Sequence, residues 1–136
     1  MHGVSGDVWL SHVEVEASDC TSGTGIRSDA GSLVLDDATI DMGEVLGGGV
    51  ALQSEDTVLM SRGLTVRVTG PNTNRGVKIV SGTAFLTDAD VQVDDIAFDN
   101  AGDIVLTESV VAGSSSGMSG RCTQVRNVDF TPYSCD

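Results

Sequence analysis

Leu33-Val34-Leu35-Asp36-Asp37-Ala38-Thr39-Ile40-Asp41-Met42 is the stretch on which the fold turns. An apolar triplet is closed at once by a polar residue. Apolar and polar residues then alternate through Ala38, Ile40 and Met42. Successive side chains of a strand point to opposite faces, so period-two alternation marks a half-buried strand.

The pattern recurs on both sides. Triplets stand at Val8-Trp9-Leu10, Leu33-Val34-Leu35, Val58-Leu59-Met60, Ala84-Phe85-Leu86 and Ile104-Val105-Leu106, with starts 25, 25, 26 and 20 residues apart. Ser11, Asp36, Ser61, Thr87 and Thr107 close them. Alternating segments follow at Val13/Val15/Ala17, Leu64/Val66/Val68 and Ala89/Val91/Val93. The copy after Val58 is shifted by one residue, which predicts a bulge at Gly63. The fifth copy, 109–112, is degenerate. A third segment comes after a loop: Gly25-Ile26-Arg27-Ser28, Gly49-Val50-Ala51-Leu52, Gly76-Val77-Lys78-Ile79 and Asp95-Ile96-Ala97-Phe98. Glycine opens three of the four, where the chain leaves a turn and re-enters a strand.

Three short strands cannot form a layer by themselves, but stacked coils can, each strand pairing in parallel with its equivalent about 4.8 Å away. The expected fold is all-β, a parallel β-helix of about five coils with three short strands per coil. It is one domain over 1–136, open to being part of a longer chain, with 113–136 as a capping tail. A β-sandwich or a left-handed solenoid are the alternatives. A sandwich does not require a 25-residue period, and the six-residue pattern of the left-handed form is absent.

Val8, Leu33, Val58, Ala84 and Ile104 should form one inward column. Leu10, Leu35, Met60, Leu86 and Leu106 should form another. The middle residues Trp9, Val34, Leu59, Phe85 and Val105 then point outward as an apolar stripe about 20 Å long. Soluble monomers rarely leave such a stripe bare. The tail residues Phe130, Pro132 and Tyr133, or another subunit, are expected to cover it.

Composition narrows the function classes. The core is aliphatic, with 40% hydrophobic but only 4% aromatic residues. Twenty acidic and seven basic residues give a net charge of −13, which disfavours nucleic acid. No stretch reaches the roughly 20 apolar residues of a membrane span, and no signal peptide stands at the start. Cys122 and Cys135 bracket a compact tail and are expected to pair, two free thiols being the alternative. A disulfide there implies an oxidising compartment. Cys20 is left over.

The repeat resembles the right-handed parallel β-helix proteins of the pectate-lyase-like superfamily over about residues 6–112. Asn100-Ala101-Gly102-Asp103-Ile104-Val105-Leu106-Thr107-Glu108-Ser109 is similar to a coil of such proteins. The tail, Cys122 to Cys135 with Val125, Phe130 and Pro132, looks like the end of a secreted bacterial member. The resemblance implies a right-handed coil and an extracellular or cell-surface location. It also brings in polysaccharide lyases, which use Ca²⁺ held by Asp, and glycoside hydrolases, which use clustered Asp. The Gly-His-Gly and Asn-Thr-Asp elements of those hydrolases are missing here.

Aligning the coils stacks His12, Asp37, Arg62, Asp88 and Glu108 in one outward column. Within it, Arg62 as donor, flanked by Asp37 and Asp88 as acceptors, is the candidate ligand-binding set; a ladder of surface ion pairs is the plainer account. No catalytic residue and no metal ligand is assigned, and no cofactor is expected, Ca²⁺ being the alternative. The leading expectation is a non-catalytic extracellular module with a structural, adhesive or glycan-contacting role, its partner a glycan or another subunit. A degenerate or partial polysaccharide lyase or glycoside hydrolase is the second reading, and a trimeric phage-type spike fragment the third.

Overall fold

The computed structural model describes residues 2–3, 6–17, 20–119 and 121–135. Among them are strands and turns, and no helix long and apolar enough to cross a membrane. A short β1 (His2–Gly3) precedes the first coil, which is β2 (Asp7–Ser11), β3 (Glu14–Glu16) and β4 (Gly23–Ser28). The second is β5 (Gly31–Asp36), β6 (Thr39–Glu44) and β7 (Gly49–Ser54). The third is β8 (Thr57–Arg62), β9 (Thr65–Thr69) and β10 (Arg75–Ile79). The fourth is β11 (Gly82–Thr87) and one long β12 (Asp90–Asn100). A partial fifth holds β13 (Asp103–Thr107) and β14 (Val110–Ser116), followed by β15 (Cys122–Thr123).

The paired strands are parallel and join equivalents in successive coils. One side of the coil is a six-stranded sheet, β15-β13-β11-β8-β5-β2. The other two sides form a nine-stranded sheet, continuous because β12 runs through both. The result is a parallel β-solenoid of about four turns, slightly fewer than the five coils the triplets suggest. The 20-residue step has a simple origin. A loop separates β6 from β7 and β9 from β10; in the fourth coil that loop is absent and β12 carries straight on.

The register corrects the sequence alignment at the third coil. Leu33 pairs with Leu59 rather than Val58, and Leu35 with Ser61 rather than Met60. The inward columns are therefore Val8–Leu33–Leu59–Ala84–Ile104 and Leu10–Leu35–Ser61–Leu86–Leu106. Leu59 is fully buried, whereas Val58 and Met60 are 46% and 51% exposed. No bulge forms at Gly63. That residue is the turn, with φ 72°, in line with His12, Asp37, Asp88, Glu108 and Gln124 at φ between 49° and 55°. The amides of His12, Asp37, Gly63 and Asp88 each donate to a carbonyl of the next coil at 2.9–3.1 Å. Left-handed backbone is costly for residues with a Cβ and free for glycine, so Gly63 belongs with Asp37, one place later than the triplet alignment assumes.

The glycines of the third segment also act differently from expectation. Ile26 pairs with Leu52, which places Gly25 beside Ala51, not Gly49. A Cβ on Gly76 would stand 2.8 Å from the Ala97 carbonyl oxygen and from a Val91 methyl. Close approach of the strands across a narrow core requires it. Ser114–Ser116, a run of three serines after the degenerate fifth copy, belong to β14, where Ser114 Oγ donates to the Asp95 carbonyl at 3.0 Å.

The interior is a filled stack of aliphatic side chains, Ile40, Val66, Val91 and Val111 making one fully buried column. Ser61 interrupts a leucine column, and its hydroxyl is buried without a hydrogen-bond partner, as is that of Ser54. The tail closes the last coil. Cys122 and Cys135 are disulfide-bonded, with Cα atoms 6.2 Å apart, while Cys20 takes part in no disulfide. Val125 is buried beneath the tail, and Tyr133 Oη donates to the Gly113 carbonyl at 2.9 Å. The Asp129 carboxylate, accepting from the Thr131 hydroxyl and amide at 2.6 and 3.1 Å, is held below the usual carboxylate range.

Two measurements test the register. Leu59→Ala should cost about 2–5 kcal/mol of unfolding free energy, and Met60→Ala within about 0.5 kcal/mol of nothing; equal losses in denaturant titrations would refute the assignment. Ser61→Ala removes an unsatisfied hydroxyl and should raise stability by about 1 kcal/mol.

Candidate functional site

The outward face of the six-stranded sheet is built by the same alternation that fills the core. With Val8, Leu10 and their equivalents inward, strand geometry sends Trp9, Val34, Met60, Phe85 and Val105 outward, one above another. The stripe expected from the sequence exists, with Met60 in place of Leu59. Trp9 is 73% exposed, Phe85 45% and Val105 40%. Strands that face water normally alternate apolar with polar, so this row departs from the ordinary pattern of a solvated sheet.

A polar column borders the stripe on one side, and on the other a mostly polar one interrupted by exposed Val58. On one side run Ser11, Asp36, Arg62, Thr87 and Thr107. Arg62 Nη2 lies 3.1 Å from Asp36 Oδ1, and Thr87 and Thr107 share a hydrogen bond of 3.1 Å. On the other side Ser32 Oγ donates to Asp7 Oδ1 at 2.6 Å. The middle of the stripe sinks into an open depression of about 340 Å³, floored by Val34 and Met60, with Trp9 and Phe85 at its ends and Asp36, Arg62 and Thr87 along its rim.

The proposed trio does not share one column. Asp37 and Asp88 stand in the turn column with Gly63 between them, and Arg62 sits one residue earlier, in the strand, against Asp36. The cause is the one-residue shift of the third coil. Asp37 instead faces His12, Nε2 to Oδ2 3.5 Å, and leans over Gly63. Asp36 and Met60 are the residues that sequence alignment missed. Aligning Gly63 with the other left-handed turn residues would have found both.

The tail does not cover the stripe. It caps the end of the coil, with Tyr133 packed on the core and Phe130 74% exposed. Ser18 and Asp19, at the start of the loop between the second and third segments of the first coil, lie outside the described residues. Among the described residues, no group of three or more His, Cys, Asp or Glu side chains is placed to hold a metal ion.

Comparison of the chain with protein-family models, with curated proteins and with solved structures finds no match. The parallel β-solenoid therefore rests on the register of the strands themselves.

The site makes a direct prediction. Trp9 is the sole tryptophan, so its emission should be that of solvated indole and should be quenched by a neutral collisional quencher nearly as well as the free amino acid. Strong shielding in the isolated chain would mean the face is covered.

Proposed function

We propose that the chain is a non-catalytic extracellular β-solenoid module that holds an extended glycan along the outer face of its six-stranded sheet. The observation that carries this reading is the ladder of exposed Trp9, Met60 and Phe85 on a rigid parallel sheet, with the Asp36–Arg62 pair beside it. Aromatic and thioether groups offer apolar surface to the CH faces of sugar rings. A guanidinium and a carboxylate offer paired donors and acceptors to sugar hydroxyls. Asp37 and Asp88 extend the polar border one residue further out. The disulfide supports an oxidising compartment, and the resemblance to pectate-lyase-like proteins points to the same ligand class.

A second reading, a partial polysaccharide lyase or glycoside hydrolase of the pectate-lyase-like kind, has one observation in its favour. Asp37 and Asp88 are two coils apart, about 9.6 Å at the backbone by strand spacing, close to the carboxyl separation of about 6.5–9.5 Å in inverting hydrolases.

A glycan array followed by titration of the best binder tests the first reading. Trp9→Ala and Phe85→Ala should each weaken binding about tenfold, the equivalent of about 1.4 kcal/mol, with the β-sheet circular dichroism unchanged. Affinity indifferent to both substitutions would overturn it. Incubation with polyuronates, with and without Ca²⁺, separates the readings: new reducing ends or unsaturated products would establish the enzyme.

A further inference from the structure

The face that carries the apolar ladder holds two of the seven basic residues, Arg62 and Arg121, and each is already engaged by a carboxylate. Arg62 is held through two atoms: Nε and Nη2 both donate to Asp36 Oδ1, at 3.3 and 3.1 Å. Asp36 is the more enclosed partner, its side chain 22% exposed against 75% for Arg62. Arg121 stands one residue before Cys122, the partner of Leu106, which places it beside Val105 at the end of the ladder. Its Nη2 lies 3.2 Å from Asp103 Oδ1. His12, the remaining group here that can carry positive charge, faces Asp37. Among the described residues the cations of this face are therefore all matched, and acids are left over. Asp7 on one border accepts from Ser32, and Asp88 follows Thr87 on the other.

We propose that the Asp36–Arg62 pair decides which glycans this face accepts, a refinement that rests on the glycan-holding reading of the same face. By occupying the guanidinium, Asp36 makes the face a site for uncharged sugar chains and turns away chains of uronate, the acidic class that the pectate-lyase-like resemblance would suggest.

A guanidinium recognises a carboxylate through two parallel N–H groups. In Arg62 the Nε and Nη2 groups that could form such a fork already point at Asp36. A uronate must compete there with a carboxylate built into the sheet. Charge acts in the same direction. A uronate chain laid along the ladder would bring one carboxylate per ring past Asp7, Asp36, Asp88 and Asp103, on a molecule of net charge −13. Like charges brought together cost both affinity and association rate. A neutral ring meets neither obstacle. Its hydroxyls donate and accept, so they can bond the Asp36 carboxylate and the remaining N–H groups of Arg62 with no charge left uncompensated.

The test compares β-linked hexasaccharides of glucose, mannose and xylose with hexamers of glucuronate and galacturonate. Binding is read by calorimetry at low and at physiological salt, in the parent chain, in Asp36→Asn and in Asp36→Asn/Arg62→Gln. In the parent the tightest neutral hexasaccharide should bind at least tenfold more tightly than either uronate, with an affinity that salt leaves unchanged. Asparagine keeps an oxygen for Arg62 but removes the charge. Asp36→Asn should therefore melt as the parent does and narrow that ratio at least tenfold by gaining uronate affinity, a gain that fades as salt rises. Adding Arg62→Gln should abolish the gain. A pair that only braced the sheet would move both ligand classes together. Uronate binding equal to or tighter than neutral binding in the parent, or an unchanged ratio in Asp36→Asn, would overturn the proposal and leave the glycan-holding reading in place. No binding of any of these chains would also overturn it, and silence on the glycan array as well would overturn the reading beneath it.

Discussion

Everything in this molecule depends on the in-register parallel ladder between successive coils. A single coil of three short strands buries almost nothing. Its backbone groups and its aliphatic side chains are satisfied only when the next coil repeats its geometry about 4.8 Å away. Like therefore stacks on like: valine on isoleucine in the core, left-handed residue on left-handed residue at the turn, aromatic on thioether outside. A residue's role is set by its column more than by its sequence neighbours. That is why Met60, flanked by a leucine and a serine, is a surface residue, and why the leucine before it is core.

Much of this is legible in the chain itself. The triplets and alternating segments identify the strands, and Ala38, Ile40, Met42, Leu64, Val66 and Val68 are buried as their alternation requires. The pairing of Cys122 with Cys135 follows from their bracketing of a short tail. What the sequence conceals is the third coil. Val58-Leu59-Met60 is apolar at all three positions, so hydrophobicity cannot say which member points inward, and a one-residue slip exchanges the two faces. The turn resolves the ambiguity through backbone conformation, because Gly63 takes a left-handed angle where the other coils use His, Asp or Glu. The same slip moved Arg62 out of the column of Asp37 and Asp88. The error in the fold and the error in the site thus share a single cause.

The outer stripe was visible for a simpler reason: both faces of the triplet strand are apolar, which alternation cannot produce by accident five times. Its occupant was not visible. Phe130 and Tyr133 are apolar enough to cover a sheet, yet the disulfide and the Val110–Arg126 pairing direct the tail over the end of the coil. Capping the exposed edge of a solenoid protects the most aggregation-prone surface such a fold has, and the tail is long enough for that alone.

Among the described residues no element ties distant coils together, and this has a mechanical consequence. Apart from the tail, each strand is bonded only to its counterparts one coil away, 25 or 26 residues along the chain and 17 to 21 at the end. Pulled from its two termini, the molecule should come apart as a spool unwinds, one turn at a time. Each full turn frees a length of about 85 Å of extended chain, the fourth a shorter length for want of its loop, and the disulfide keeps the last stretch from contributing at all.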